Sequence, residues 1–292
     1  MEIDRLRDDD PPLAAADAAP DDLATAGVDE QSAAEPDSRG PGDRAAIHAG
    51  YQAKAEAAYL DAAREHWETA AKPAFEREWL RYAQTHPADW RSSASIDEAA
   101  ATSVRRGCAD IRETEEKVVT PAMLRIEAED PDRHLIGLEF RRKGEDRIME
   151  KVARQLEAQP DLTPADALTT VKDAIRYTYQ YTEEHYAEGV YADIGRLQTA
   201  GFELIELRNS WSGEEYKGIN SRWRVPENGQ LFEVQFHTKI SFEAKQLTHP
   251  AYERLRNPAT TNAERDELED FQRRVNAYIP IPPHAQAIPE HL

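Results

Sequence analysis

Cysteine is almost absent from this chain of 292 residues, which contains Cys108 and no other. A single thiol cannot form a disulfide within the chain, and it cannot build a zinc site that depends on several thiolates. The chain also has no apolar run long enough to cross a bilayer, and its start has no basic segment followed by an apolar one. We therefore expect a soluble protein without a conventional signal peptide, which acts in the cytoplasm or is exported by a dedicated secretion system.

Basic residues are scarce as well. The 36 Lys and Arg residues face 56 Asp and Glu residues, which gives a net charge of −20. Broad binding to nucleic acid needs a basic face that releases counterions, so this composition argues against it, although a local basic patch is compatible with it. The glycines at 213 and 218 do not form a phosphate loop, because the segment lacks the Gly-Lys-Ser/Thr ending that places a lysine at a helix start.

The acidic residues are concentrated at the start of the chain. The first 50 residues contain thirteen acidic residues against four basic ones and are rich in Ala, Pro, Asp and Gly without periodicity. This composition predicts a disordered acidic tail over 1–44. A helical region follows over 45–117, with aromatic and apolar residues near helical spacing and an interruption at Pro73. We expect its apolar stripes to pack on the rest of the chain or to bind a partner helix or an export component.

The segment 216–238 predicts a β-hairpin that carries one acid among apolar residues. Two β-rich runs, 218–225 and 231–238, flank the turn sequence Pro-Glu-Asn-Gly. Because side chains alternate along a strand, Glu233, Gln235 and His237 share one face, and three apolar residues share the other. The apolar residues are Phe232, Val234 and Phe236. The hairpin therefore presents one packing face and one polar face.

A cluster of basic residues lies upstream of the hairpin. Arg141 and Lys143 would leave a strand on one face, and Arg147 and Lys151 would lie one turn apart at the start of a helix. A helix N-terminus adds a partial positive charge, so the cluster suits a bound triphosphate. The alternative is a solvated basic helix face, balanced by the acidic residues at 145, 146 and 150.

The order of elements predicts an α+β domain with a five-stranded mixed β-sheet flanked by helices over 118–280. A Pro-rich C-terminal tail, 281–292, follows it. The predicted elements are a helix after Val118, strand 134–142, helix 145–158, helix 164–171, strand 173–181, helix 187–200, strand 203–209, strand 217–225, strand 231–238 and helix 240–256.

The basic cluster and the hairpin, in this order, resemble the synthetase domain of RelA/SpoT-type nucleotide pyrophosphokinases. That family carries Arg-x-Lys, then Ser, then Lys at the spacing found here, with Arg147 in place of the serine. Its Tyr-x-Ser-x-His strand is similar to the run from Tyr216 to Asn220, and its Glu-x-Gln-x-Arg-Thr strand to Glu233-Val-Gln-Phe-His237-Thr. Gly218, Asn220 and His237 depart from these motifs. The resemblance covers about 118–256 and implies a nucleotidyltransferase-like fold.

The resemblance also implies a role for each matching residue. Asp173 and Glu233 would be the catalytic carboxylates and would bind Mg²⁺, and Glu233 would accept the proton of a 3'-hydroxyl. ATP would bind to Arg141, Lys143, Arg147, Lys151 and Arg176. The acceptor nucleotide would bind to Tyr216, Asn220, Gln235 and His237. Asp173 and Arg176 are three positions apart, whereas the family separates the matching pair by five.

The implied activity is Mg²⁺-dependent transfer of pyrophosphate from ATP to the 3'-hydroxyl of a purine nucleotide, giving products of the (p)ppApp or (p)ppGpp type. The segments at 176–181, 216–223, 232–238 and 241–256 look most like actinobacterial adenosine-nucleotide 3'-pyrophosphokinases and related toxins. This likeness implies a growth-inhibiting effector with an immunity protein or export partner. Transfer to the 3' end of tRNA and an inactive interaction module are the alternatives. The sequence does not choose between adenine and guanine as the acceptor base.

Overall fold

The computed structural model describes residues 41–86, 96–257 and 259–290. The chain divides into two units, Met1–Gln52 and Ala53–Leu292. The predicted acidic tail, 1–44, lies outside the described residues except for its last four positions, which belong to helix α1, Pro41–His66. Within the described ranges, no helix combines the length and the apolar character that crossing a membrane requires.

The N-terminal helices are joined by two π-helical segments. The first, Trp67–Ala71, links α1 to α2, Lys72–Thr85, and the second, Glu115–Val119, links α3, Glu98–Thr114, to α4, Thr120–Ala128. Both α2 and α4 have a proline in the first turn. Proline has no N–H to donate, so the regular hydrogen-bond ladder is broken at both places. The interruption predicted near Pro73 is thus a π-helical segment, and the chain stays helical through it.

The rest of the described chain builds one mixed sheet, in the order β1-β2-β5-β4-β3. The strands are β1, Arg133–Ile136; β2, Arg176–Tyr181; β3, Glu203–Asn209; β4, Ile219–Arg224; and β5, Leu231–Thr238. The flanking helices are α5, Glu145–Ala158; α6, Pro164–Thr169; α7, Tyr186–Thr199; α8, Lys239–Leu255; and α9, Asn262–Ala277. Only β2 and β5 pair in parallel. The predicted fold class, an α+β domain around a five-stranded mixed sheet, is confirmed.

Two predicted strands are shorter than expected. The strand predicted over 134–142 ends at Ile136, because Gly137 adopts a left-handed conformation with φ 63° and a 3-10 turn follows. The strand predicted over 173–181 begins at Arg176, so Asp173 lies in the turn before it. Helix α9 was not predicted.

The sheet buries its apolar face as the alternation predicts. Phe232, Val234 and Phe236 are fully buried in one hydrophobic core that also includes residues of α2 and α3.

The predicted domain boundary at 117/118 lies inside the second π-helical segment, and the functional division there stays a prediction. Within the predicted C-terminal tail, Ala285 and Ile288 are buried, and both of their carbonyls accept hydrogen bonds from the Asn209 side chain at 2.8 Å. This part of the tail is therefore packed against the end of β3.

Gly218 precedes β4 with φ 148°, and a β-carbon there would lie 2.7 Å from Cε1 of the buried His237. We expect Gly218→Ala to lower the free energy of unfolding by about 1–3 kcal/mol, from backbone strain and overpacking. Gly144→Ala is the control, because nothing lies within 4 Å of its β-carbon; since Gly144 is the N-cap of α5, this variant should lower the free energy of unfolding by less than about 1 kcal/mol. Urea denaturation measures both variants, and equal stabilities would contradict the expectation.

Candidate functional site

The two predicted catalytic carboxylates lie on either side of one guanidinium group. The parallel register of β2 and β5 places Arg176 opposite Glu233. Arg176 Nη2 lies 3.0 Å from Asp173 Oδ2, and Arg176 Nε lies 3.2 Å from Glu233 Oε1. The second contact is an ion pair without hydrogen-bond geometry, so Arg176 Nε is buried without a hydrogen-bond partner among the described residues. Asp173, Arg176 and Glu233 thus form a continuous charged row across the two strands.

Two lysines complete the surroundings of Asp173. Lys151 Nζ lies 2.7 Å from Asp173 Oδ1, and Lys143 Nζ lies 3.0 Å from Oδ2. Burial alone would raise the pKa of Asp173, but the hydrogen bonds and charges of Lys151 and Lys143 outweigh it and lower the pKa to about 2. For Lys143, burial lowers the pKa despite the attraction of Asp173. Asp173 is therefore ionised throughout the physiological pH range.

A cavity of 590 Å³ opens beside this row. Its lining includes four carboxylates, those of Asp173, Glu206, Glu215 and Glu233. It also includes seven Lys and Arg side chains: Lys151, Lys172, Arg176, Arg208, Arg222, Lys245 and Arg256. A chain with a net charge of −20 thus lines this cavity with an excess of cations. An anionic ligand is the kind of molecule that such a lining attracts.

Three of the predicted acceptor residues line the same cavity. They are Tyr216, Asn220 and Gln235. The Tyr216 hydroxyl donates a hydrogen bond to Asn220 Oδ1 at 2.9 Å and lies 2.9 Å from Nε2 of His237. Burial raises the pKa of Tyr216, so the hydroxyl stays protonated. The tyrosine ring is therefore fixed at its polar end beside the carboxylate row.

His237 does not line the cavity. It is fully buried beneath the cavity wall, and its Nδ1 lies 2.8 Å from Ser241 Oγ. Burial, with the nearby charges of Lys245 and Arg176, holds the pKa of His237 well below its usual range. The prediction that His237 contacts the acceptor is not supported by this structure, because the imidazole is buried and neutral and both of its ring nitrogens have partners. His237 supports Tyr216 from the side away from the cavity.

The predicted ATP-binding cluster is divided. Lys151 and Arg176 line the 590 Å³ cavity, whereas Arg141 and Lys143 line a second cavity of 490 Å³. Lys143 connects the two through its ion pair with Asp173. The Arg141 guanidinium donates to the buried Glu115 at 2.7 Å, and the Arg147 side chain is 63% exposed and pairs with Glu150. The four cations therefore do not meet at one place in this structure, because Glu115 holds Arg141 and Arg147 lies on an exposed face of α5.

Helix α8 supplies a cavity wall that the motifs did not reveal. Lys245, His249, Tyr252 and Arg256 all line the 590 Å³ cavity. Their spacings of four, three and four residues are those of one helix face, which is the signal that sequence reasoning could have used. Arg208 on β3 and Arg222 on β4 were missed as well, because neither belongs to a motif. Their strands place them on the polar face of the sheet.

Lys245 lies in an unusual environment for a lysine. Its ammonium group donates to Gln235 Oε1 and lies 5.3 Å from the centre of the Phe242 ring. Burial, together with the charge of Arg176, lowers the pKa of Lys245 to about 7, against the attraction of Glu233. This lysine therefore changes its charge near neutral pH, unlike an ordinary lysine on a surface.

The oxygen donors at the cavity wall suit a Mg²⁺ ion that is bound partly by substrate. The described residues contain no group of three or more His, Cys, Asp or Glu side chains that could hold a metal ion. Mg²⁺ is nevertheless held in many enzymes by one or two carboxylates together with water and substrate phosphates. Asp173 and Glu233 provide two hard oxygen donors at one wall of the cavity. These donors fit Mg²⁺ that arrives with a nucleotide, provided that the cations now paired with them exchange partners.

No family model and no curated protein sequence matches this chain. Among solved structures, it is similar to small alarmone synthetase 1 from Bacillus subtilis, with 14% identity, coverage of 59% of this chain and 88% of that one, and a TM-score of 0.39. It is also similar to a GTP pyrophosphokinase family protein from Streptococcus pneumoniae, with 13% identity, coverage of 68% of this chain and 88% of that one, and a TM-score of 0.36. A third similar structure is the complex of the type VI effector Tas1 with its immunity protein, with 16% identity, coverage of 62% of this chain and 93% of that one, and a TM-score of 0.34.

These neighbours are proteins of the RelA/SpoT-like kind that the sequence motifs resemble. With TM-scores below 0.5, the likeness carries no argument about activity. The case for function therefore depends on the residues of the site.

Asp173 is the common partner of three cations, and its removal leaves Lys143 and Lys151 without the carboxylate that they contact. Its lowered pKa corresponds to about 2 kcal/mol of stabilisation, present above the ordinary pKa of 3.8 and lost as the pH falls toward 2. At pH 7 we expect Asp173→Asn to lower the free energy of unfolding by about this amount, that is, about 2 kcal/mol. Asp161→Asn, at an exposed loop position, is the control. Chemical denaturation at pH 7 checks the difference, and matching midpoints would oppose the interpretation.

Proposed function

We propose that this protein transfers pyrophosphate from ATP to the 3'-hydroxyl of a purine nucleotide in a Mg²⁺-dependent reaction. The observation that carries the proposal is the row formed by Asp173, Arg176 and Glu233 at the wall of a cation-rich cavity. Transfer of a phosphoryl or pyrophosphoryl group depends on charges that are already in place around the phosphates. In the proposed reaction the acceptor hydroxyl attacks the β-phosphorus of ATP, and AMP leaves.

The triphosphate of ATP is assigned to the cations that surround Asp173. Lys143, Lys151 and Arg176 all contact this carboxylate. A phosphate chain would replace the carboxylate as their partner and would offer an acceptor to the buried Arg176 Nε, which has no hydrogen bond from the described residues. Arg141, near the second cavity, is paired with the buried Glu115 and could reach another part of ATP only by leaving that carboxylate, whereas Arg147 is too exposed to hold ATP tightly.

Asp173 and Glu233 are the proposed Mg²⁺ ligands. When bound, the ion would neutralise charge on the phosphate oxygens. Glu233 is also the proposed proton acceptor, because it lines the cavity next to Arg176 and Tyr216. A carboxylate in this role needs to lie within hydrogen-bond reach of the attacking hydroxyl. The remaining side chains then have to orient the acceptor.

The acceptor base is assigned to the Tyr216 ring, on which it would stack. Tyr216 is fixed by its hydrogen bonds to Asn220 and His237, and Gln235 lies on the same wall. Stacking on such a ring does not distinguish adenine from guanine, so nucleotides of both bases are the proposed acceptors. Transfer to a tRNA 3' end and an inactive interaction module are the two competing outcomes of the assay below.

A growth-inhibiting role is the proposed biological function. It follows from the likeness of the segments 176–181, 216–223 and 241–256 to toxin-type pyrophosphokinases. Depletion of ATP and of the acceptor nucleotide would explain the inhibition, and an immunity protein that covers the cavity would relieve it.

Glu233→Gln is expected to lower the rate of transfer by about a thousandfold or more, because the amide can neither accept the proton nor supply a charged oxygen. The assay incubates the protein with Mg²⁺ and labelled ATP, offers AMP, ADP, GDP, GTP or deacylated tRNA, and separates the products by chromatography. Glu227→Gln is the matched control in the exposed turn of the same hairpin and should keep full activity. Label on tRNA would favour the tRNA alternative, and no transfer to any acceptor would favour the inactive module.

Expression of the chain inside a bacterial cell is expected to arrest growth, and the Glu233→Gln variant at the same protein level is expected not to. Extraction of nucleotides from the arrested cells should show a 3'-pyrophosphorylated purine nucleotide and a fall in ATP. Normal growth with the active protein present would contradict the toxin role, while the activity in vitro would be judged separately.

A further inference from the structure

Three side chains at one wall of the 590 Å³ cavity form a hydrogen-bonded relay. Lys245, in the second turn of α8, donates to Gln235 Oε1, and Gln235 Nε2 donates to Glu233 Oε1. Gln235 lies two residues after Glu233 on the same face of β5, so the strand itself holds these two groups together. Helix α8 begins directly after β5 and returns Lys245 to that face.

The orientation of the Gln235 amide follows from its two neighbours. A lysine nitrogen can serve as a donor to the amide oxygen, and a carboxylate can only accept from the amide nitrogen. Both ends of the relay therefore require the same orientation. Gln235 is only 4% exposed, so water does not readily replace either partner.

The relay leaves the two oxygens of Glu233 in different surroundings. Oε1 accepts from Gln235 and lies 3.2 Å from Arg176 Nε, whereas Oε2 accepts no hydrogen bond from the described residues. The second oxygen is thus the one that the cavity can use. A carboxylate that must meet an attacking hydroxyl at a fixed angle needs this kind of support.

We propose that Lys245 is a positioning residue for the reaction proposed above, which fixes the Glu233 carboxylate through the Gln235 amide and so leaves Oε2 free for the acceptor hydroxyl. This inference rests on the proposed function. It assigns to Lys245 an effect on turnover rather than a contact with the nucleotides. Lys245 belongs to none of the motifs that the sequence offered.

The electrostatic surroundings of Lys245 agree with this role. Arg176 on β2, and Glu233 and the neutral His237 on β5, lie near it, and Phe242 and His249 are on its own helix. The pKa of Lys245 is lowered to about 7, so this lysine loses its charge within the pH range in which NMR spectra can be recorded. The lysine can donate to Gln235 in either state, but the donor is stronger when it is charged.

The first measurement is kinetic and compares Lys245→Met, Gln235→Leu and the double variant with wild type. Each single variant is expected to lower kcat by about 10–100-fold, as loss of a residue that supports a catalytic ligand typically does, and Lys245→Met should keep the KM of both nucleotides within about twofold. The double variant should be no slower than the slower single variant, because both break one relay. Lys239→Met is the matched control, on the exposed side of the same helix, and should retain wild-type kcat. A raised KM with kcat unchanged, or additive losses, would overturn the inference.

The second measurement uses nucleotide-free protein and needs no turnover. The side-chain amide resonance of Gln235 in a ¹⁵N-labelled sample is expected to move with pH at the midpoint of the Lys245 titration, to shift in Lys245→Met and to stay in place in Lys239→Met. If the chemical shift of the Gln235 amide changes neither with pH nor in Lys245→Met, the relay is overturned even in an active enzyme. If the relay is observed but wild type transfers no pyrophosphate, the proposed function has failed instead.

Discussion

The parallel pairing of β2 with β5 is the constraint on which the site depends. It places Arg176 opposite Glu233, and the turn before β2 brings Asp173 to the same guanidinium group. Further contacts are built on that row. The lysines of α5 and of the segment before it reach Asp173, and the relay from α8 reaches Glu233. A shift of one residue in the register would turn Glu233 into the apolar core and separate the two carboxylates.

The charges of the site oppose those of the whole molecule. The chain is strongly acidic, yet the cavity gathers more Lys and Arg side chains than carboxylates. The cations nearest to β2 are paired with Asp173 and Glu233, which limits their repulsion of one another. The carboxylates thus hold the cations together in the free protein, and under the proposed function they would offer oxygen ligands once phosphates had become the partners of those cations.

Strand alternation and motif order were sufficient to predict the hairpin, the helix at 145–158 and the five-stranded sheet, because each depends on local periodicity. The ends of β1 and β2 were not predictable in this way. Gly137 ends the first strand by its left-handed conformation, and Arg141 then pairs with the buried Glu115 instead of joining the lysines at Asp173. The residues of α8 were missed for a different reason. Their face meets the cavity only after the helix packs on the sheet, so a tertiary contact decides it and no short motif reveals it.

The support of Tyr216 by a neutral histidine has a consequence for the entropy of binding. Its hydroxyl is anchored at Asn220 and His237, and His237 is anchored in turn at Ser241. A ring held at its far end loses little rotational freedom when a flat ligand settles on it, so less conformational entropy opposes association. The proposed platform is therefore preorganised, which would favour the binding of an acceptor nucleotide.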